Sequence, residues 1–127
     1  MNGITIASLL KANAGLLALV NTDNIFPYVA NEGTSLPLIV YTIDSLAPEY
    51  TKDGWAGDTC NFSVVSFSQD YANLQLLAVQ VRASLELKHG GDTQRIILTG
   101  QQEGYNIQDD IFLNKQTFRV KTINKTI

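Results

Sequence analysis

The part of the sequence that most constrains the fold is residues 25–41, where a helical pattern gives way to an apolar strand. Pro27 ends the helical pattern, and Gly33 supplies a position that accepts a positive φ. Pro37 precedes residues 38–43, a β-branched and aromatic run with apolar side chains on both alternating faces. Such a run is typical of a strand inside a sheet, and a proline costs least at its start. The segment therefore predicts a loop that enters a sheet strand, and it contains no residue suited to catalysis.

A helical pattern precedes this loop. Residues 5–20 place apolar side chains at close to the 3.6-residue spacing of a helix with one buried face. Gly15 weakens such a helix by about 1 kcal/mol relative to alanine, and Asn13 is suited to cap the start of a new helix. The sequence therefore predicts either one helix or two short helices joined near residue 14.

A second helix is predicted over residues 71–85, where apolar positions again keep helical spacing. Ser68 is the predicted N-cap, and Asp70 adds a favourable negative charge in the first turn. Lys88 near the end and Gly90 just beyond it are typical C-terminal signals. Both ends of this helix are therefore marked in the sequence.

Two segments lie between the first strand and the second helix. Residues 46–58 contain Pro48, Gly54 and Gly57, and they are predicted to form a long loop that links two strands. Residues 59–67 alternate apolar and polar side chains. This alternation predicts a half-buried strand with one face in the core.

The rest of the chain is predicted to be β. Turn signals at residues 100–104 and 114–115 predict three closing strands, at residues 94–99, 105–112 and 116–123. The resulting order is α-β-β-α-β-β-β. Two helices are enough to cover one face of a mainly antiparallel sheet, so the predicted fold class is α+β, a two-layer sandwich. The length of 127 residues predicts a single domain, residues 1–127.

Charge and cysteine content exclude several classes of protein. The net charge is −3 and the nine basic residues are scattered, so specific nucleic-acid binding, which needs several cations on one face, is not expected. Mild acidity is compatible with DNA passing close by without adhering. Cys60 is the only cysteine and no secretory signal pattern is present, so a cytoplasmic origin is expected. The longest strongly apolar stretch, residues 16–20, is too short to span a membrane.

No sequence pattern indicates a catalytic, cofactor or metal site. His89, the only histidine, follows the second helix, where we expect it to face the helix dipole or solvent rather than act as a base. Cys60 shares a strand face with apolar residues, and we expect it to pack as an inert core residue. Asp109 and Asp110 are adjacent and would point to opposite faces of a strand. We therefore expect no enzyme activity, no cofactor and no metal.

Surface residues are better functional candidates. Tyr50 and Trp55 lie in the predicted loop, and large aromatic residues on projecting loops are enriched where proteins bind one another. Trp55 is equally compatible with folding back on the core. In the last strand, Arg119 and Lys121 occupy the face that meets water or a partner. These four residues are the predicted partner-binding residues.

Nearly the whole chain takes part in a resemblance to a known family. The second helix ends Val81-Arg82-Ala83-Ser84-Leu85, and the closing strands include residues 105–112 and Phe118-Arg119-Val120. In their order, these pieces and the N-terminal third resemble the small tail-completion or tail-terminator proteins, also called head–tail joining proteins, of long-tailed phages and prophages. The N-terminal pieces are Leu9-Leu10, residues 14–20, Ile25-Phe26-Pro27, Ala30, Gly33-Thr34, Leu36-Pro37 and Val40-Tyr41.

The resemblance implies a structural role. It implies a sheet with helices on one side and a hexameric ring of identical chains on the end of the tail tube. That ring would bind the last ring of major tail-tube subunits, stop further polymerisation and present a surface to the head connector protein, while DNA passes through it. The resemblance implies no catalysed reaction. It also implies a place in the tail of the virion after assembly in the cytoplasm of the bacterial host.

Two other interpretations stay open. The order α-β-β-α-β resembles part of a ferredoxin-like unit, and such domains often dimerise through their sheets to bind small ligands or catalyse simple reactions. An apolar pocket with convergent polar groups would favour that alternative. A neighbouring head-closure, or neck, protein of the same phages would share the partners of a tail terminator.

Overall fold

Five strands in one mixed sheet and three helices make up the described part of the chain, which is an α+β fold. A computed structural model describes residues 3–89 and 93–123. In chain order the elements are α1 (Gly3–Lys11), α2 (Ala14–Leu17), a 3₁₀ turn (Thr22–Asn24), β1 (Ile25–Pro27), β2 (Leu38–Thr51), β3 (Gly54–Ser68), α3 (Tyr71–Leu85), β4 (Ile97–Asn106) and β5 (Ile111–Ile123).

The strands lie in the order β1-β2-β3-β5-β4. β1 runs parallel to β2, and the other neighbouring strands are antiparallel. β2 and β3 are 14 and 15 residues long and form a hairpin that reaches across the sheet. β5 pairs with β3 from Ser68, opposite Phe112, to Gly57, opposite Ile123. The end of the hairpin therefore extends beyond the last described pair between β3 and β5.

One face of the sheet packs against the helices. Because alternate strand residues point to this face, Tyr41, Phe62 and Phe118 of three neighbouring strands belong to the same core cluster. The rings of Phe62 and Phe118 stack with 5.3 Å between their centroids. Burying one such side chain stabilises the fold by about 1.5–3 kcal/mol. The helices contribute Ile6, Leu10, Leu16, Leu77, Val81 and Leu85 to the cluster.

The first helical segment is divided into α1 and α2, which decides between the one helix and the two short helices that the sequence left open. Asn13 is the N-cap of α2, and its side-chain oxygen accepts a hydrogen bond from the Gly15 N–H over 3.0 Å. The amide group of Asn13 also donates to Ser84 Oγ (2.9 Å) and to the main-chain oxygen of Gln80 (3.1 Å), both in α3. One side chain therefore caps α2 and ties it to α3.

The second predicted helix is confirmed as α3, but its predicted cap was wrong. Asp70 is the N-cap, and its carboxylate accepts a hydrogen bond from the Ala72 N–H over 3.1 Å. Two residues earlier in the chain, Ser68 Oγ accepts a hydrogen bond from the Asp70 N–H over 3.1 Å. Both side chains accept from the amide two positions ahead, so the residue types alone do not fix which of them begins the helix. Gly90, the predicted C-terminal signal, lies outside the described residues.

The loop predicted at residues 46–58 is wrong, because these residues form the distal part of the β2–β3 hairpin. Lys52 and Asp53 alone connect the two strands, since Thr51 lies opposite Gly54. Gly54 follows this tight turn with φ at 117°, a conformation that favours glycine. The connection is therefore a two-residue turn rather than the predicted loop of residues 46–58.

Pro48 and Gly57 were interpreted as loop residues, but each occupies a strand position that suits its residue type. Pro48 lies on a length of β2 whose outer side has no partner among the described strands, since β1 pairs only with residues 39–41. A missing N–H costs little on such an edge. Gly57 lies opposite Ile123 with φ at 151°, and a Cβ there would collide with the carbonyl oxygen of Thr122. Glycine at this position permits close strand approach rather than a turn.

Two long strands close the described chain, where three were predicted. β4 and β5 are joined by a turn at residues 107–110, and the turns predicted at residues 100–104 and 114–115 lie inside them. Gly100 pairs with Thr117 in the ladder, and its φ is not positive. β1 was missed because three residues ending in proline carry little strand signal. The predicted order α-β-β-α-β-β-β is therefore wrong in detail.

Candidate partner-binding surfaces

The hairpin tip, defined as residues 49–58, carries two of the four predicted residues. Tyr50 and Trp55 lie opposite each other, beyond the last described pair between β3 and β5. Tyr50 is 71% exposed and Trp55 is 44% exposed, and both lie outside the core cluster. The indole N–H of Trp55 donates to Asp58 Oδ1 over 3.0 Å. Trp55 therefore lies at the surface, not folded back into the core.

The hairpin tip is also acidic. It contains Glu49, Asp53 and Asp58 against a single cation, Lys52. Glu49 Oε1 accepts a hydrogen bond from Thr59 Oγ1 over 2.8 Å. The tip thus combines exposed aromatic rings with a surplus of negative charge.

The other two predicted residues, Arg119 and Lys121, are exposed on β5. Arg95 joins them, because Ile97 pairs with Arg119 and brings the start of β4 alongside β5. The three cations line an open depression of about 400 Å³. Lys121 Nζ lies 3.6 Å from Glu49 Oε1, and an ion pair this exposed contributes at most about 1 kcal/mol. Lys121 therefore contacts the hairpin tip, whereas Arg119 lies beside Arg95.

A groove lies on the sheet face opposite the helices, and we call it the back-face groove. The segment between β1 and β2 forms one wall, and the floor consists of strand residues that alternate with core positions. Its volume is about 560 Å³ and its lining is largely apolar. The lining residues are Tyr28, Val29, Ala30, Leu36, Leu38, Val40, Thr42, Ser63, Val65, Phe67, Ile111 and Lys115.

Exposure differs between the floor and the wall of this groove. Leu38 and Val40 on the floor are each 8% exposed, whereas Tyr28 and Val29 on the wall are 63% and 74% exposed. Lys115 is the one charged residue among the lining residues, and it forms no ion pair with another described residue. This surface was not predicted from the sequence. The signal that could have indicated it is the run of residues 38–43, which has apolar side chains on both faces.

Titratable groups with shifted pKa values connect structural elements. Glu103 on β4 accepts hydrogen bonds from Gln75 Nε2 (2.7 Å) and Tyr71 OH (2.9 Å) of α3, and these bonds lower the pKa of its carboxyl. The same contact raises the pKa of Tyr71. Cys60 is buried in the core as predicted, and burial raises the pKa of its thiol. A buried thiol of raised pKa is a poor nucleophile.

The described residues contain no group of three or more His, Cys, Asp or Glu side chains placed to hold a metal ion. His89 is exposed beyond the end of α3. Among the helices of residues 3–89 and 93–123, none is long and apolar enough to cross a membrane. The prominent features of the described surface are therefore the aromatic tip, the basic depression and the back-face groove.

Known proteins resemble this chain in sequence pattern and in fold. The sequence model of the family described as "Tail completion protein gp17" matches residues 5–120. A chain in the solved structure "Virion of native gene transfer agent (GTA) particle" is similar in fold, with a TM-score of 0.79 and 17% sequence identity. The similarity covers 94% of this chain and 92% of the other. No curated protein sequence matches.

Proposed function

The chain belongs to the family of the tail completion protein gp17, and from this premise we propose that it caps the tail tube as a homo-oligomeric ring. Family membership makes the chain a structural protein of the phage tail, within the virion. The proposed ring, a hexamer, stops polymerisation of the major tail-tube protein and provides the joint to the head connector. It catalyses no reaction. The match over residues 5–120 carries the proposal.

The exposed surfaces support this proposal. A ring at the end of a tube must bind its own neighbours, the tube below and the connector above. Trp55 at the acidic tip, Arg119 in the basic depression and Val40 on the floor of the back-face groove mark three surfaces of different character. Different surfaces on one chain permit heterologous contacts, which build rings when the rotation closes.

The passage of DNA through the ring is part of the same proposal. The net charge of −3 disfavours adhesion of a polyanion, so DNA slides through rather than binding. Arg95, Arg119 and Lys121 form only a small cluster, and Lys121 already faces Glu49. We assign this cluster to protein contacts.

The test uses purified chain and the major tail-tube protein of the same phage. We expect the chain to halt growth of tail tubes and to appear in electron micrographs as a ring on one tube end. Sedimentation at rising protein concentration, with and without tube protein, reports the oligomer. A chain that binds the connector but not the tube would identify a head-closure protein instead. A strict monomer that binds neither would contradict both roles.

A further inference from the structure

The back-face groove and the hairpin tip have complementary chemistry. The groove offers an open apolar floor containing Val40 and Phe67, with one cation, Lys115, at its side. The tip offers two aromatic rings, Tyr50 and Trp55, together with a surplus of carboxylates. Aromatic side chains that enter apolar pockets dominate the energy of many protein interfaces.

The tip of a chain cannot fill the groove of the same chain. Val40 on the floor and Tyr50 at the tip belong to one continuous strand, β2, and are ten residues apart. A strand rises about 3.3 Å per residue, so roughly 33 Å separate them. Both strands of the hairpin are held in the sheet ladder along this length. Contact between tip and groove is therefore possible only between two molecules.

Charge favours the same pairing. Lys115 lines the groove and forms no ion pair with a described residue. Asp53 lies in the two-residue turn at the very end of the hairpin. A carboxylate carried into the groove would lie near an otherwise unpaired ammonium group in a partly apolar setting, where charge interactions are stronger than in bulk water.

We propose that the hairpin tip of one copy binds the back-face groove of the next copy. The inference rests on the proposed ring and names the contact that builds it. Tip and groove are different surfaces, so the contact is heterologous. Each copy binds one neighbour through its hairpin tip and the other through its back-face groove. Repetition of such a contact closes a ring when the rotation between neighbours closes.

Cross-linking between two variants tests the contact directly. Full-length Lys52→Cys chains, which keep both aromatic rings of the tip, are mixed with Val29→Cys chains, alone and with the tail-tube protein, and treated with a short bis-maleimide. Val29 is 74% exposed, whereas the native Cys60 is buried. We expect cross-linked dimers in the mixture but not in either variant alone. Ile107→Cys, at an 82% exposed site in the β4–β5 turn, replaces Lys52→Cys in the control.

Charge exchange provides a second readout. Lys115→Glu should weaken self-association by about tenfold or more, and mixing with an Asp53→Lys chain should restore it. Failure of this rescue, absence of the mixed cross-link, or equal cross-linking of the Ile107→Cys control would overturn the inference. If rings still form on tubes in that case, only the contact is wrong and the proposed function stands. If neither rings nor tube binding occur, the proposed function fails as well.

Discussion

Gln116 Nε2 donates a hydrogen bond to the main-chain oxygen of Ala78 over 3.0 Å, which joins the middle of β5 to α3 inside the core. Gln116 is 1% exposed, and its amide also donates to Gln101 Oε1 over 2.9 Å. These two bonds satisfy the Nε2 donor, whereas the buried Oε1 accepts no hydrogen bond from the described residues. The contact fixes the position of the helix along the strand, which a purely apolar surface would not do.

Gln116→Ala should lower the free energy of unfolding by about 1–3 kcal/mol, because a buried hydrogen bond is lost and a cavity remains. Urea denaturation followed by circular dichroism measures the change. Gln101→Ala serves as the control, since Gln101 is exposed and its loss leaves the bond to Ala78 intact. Equal effects of the two variants would show that the buried bond to the helix contributes little.

Gly57→Ala should destabilise the hairpin strongly. Its φ of 151° disfavours other residues, and a Cβ would collide with the Thr122 carbonyl oxygen. Gly54→Ala is the matched control, because Gly54 has φ at 117° but open space where a Cβ would lie. Backbone strain alone costs about 1–3 kcal/mol. In thermal denaturation, Gly57→Ala should therefore have a much lower melting temperature than Gly54→Ala. The reverse order would refute the predicted collision.

Asn13→Ala should cost about 1–2 kcal/mol of stability, because the substitution removes the cap of α2 and its bonds to Gln80 and Ser84. Asn21 caps the 3₁₀ turn by the same kind of bond, to the Asp23 N–H, but lies exposed. Asn21→Ala is therefore the control for capping alone. The stability lost in Asn13→Ala minus the stability lost in Asn21→Ala measures the contribution of the hydrogen bonds to α3. Equal losses would mean that these bonds contribute no stability.

Acid should weaken the contact between α3 and β4 through Glu103. Hydrogen bonds from Gln75 and Tyr71 lower the pKa of Glu103 in the folded chain. A lowered folded-state pKa gives stability that is present above the unfolded pKa, about 4.3, and is lost as pH falls through the folded value. In Glu103→Gln, the free energy of unfolding should depend less on pH below about 4.3. An unchanged dependence of stability on pH in Glu103→Gln would refute this role of Glu103.

Trp55→Ala should leave the monomer folded and abolish tail completion. The side chain lies outside the core cluster and is 44% exposed, so its removal costs little folding energy. Melting temperature and tail length in a complementation assay separate the two effects. Ile107→Ala, at an 82% exposed site away from the hairpin, should preserve tail completion. A large fall in melting temperature for Trp55→Ala would show that the indole side chain stabilises the folded monomer.

Local signals in the sequence predicted the helices and the core face well. Asn13 and Gly15 indicated where the first helix could divide without deciding that it does, and the inward face of β3 follows from the alternation that includes Phe62. These features depend on residues close together in the chain. Capping and periodicity are physical effects over the same short range.

The strand ends could not be predicted, because the same residue types serve turns and close strand approach. Gly57 and Gly100 occupy ladder positions, and Pro48 lies on an outer edge that no described strand covers. Only the partner strand distinguishes these cases. Proximity of Arg95 to Arg119 likewise depends on the register between β4 and β5, which no local pattern reveals.

The burial of Cys60 makes the chain simple to label. With the native thiol enclosed between sheet and helices, a cysteine introduced at the surface is the one accessible to a maleimide dye. A fluorophore at Lys52→Cys and an acceptor at Val29→Cys on a second chain would therefore report association in real time. Ring formation becomes measurable as a rate, on a chain whose core keeps its native residue.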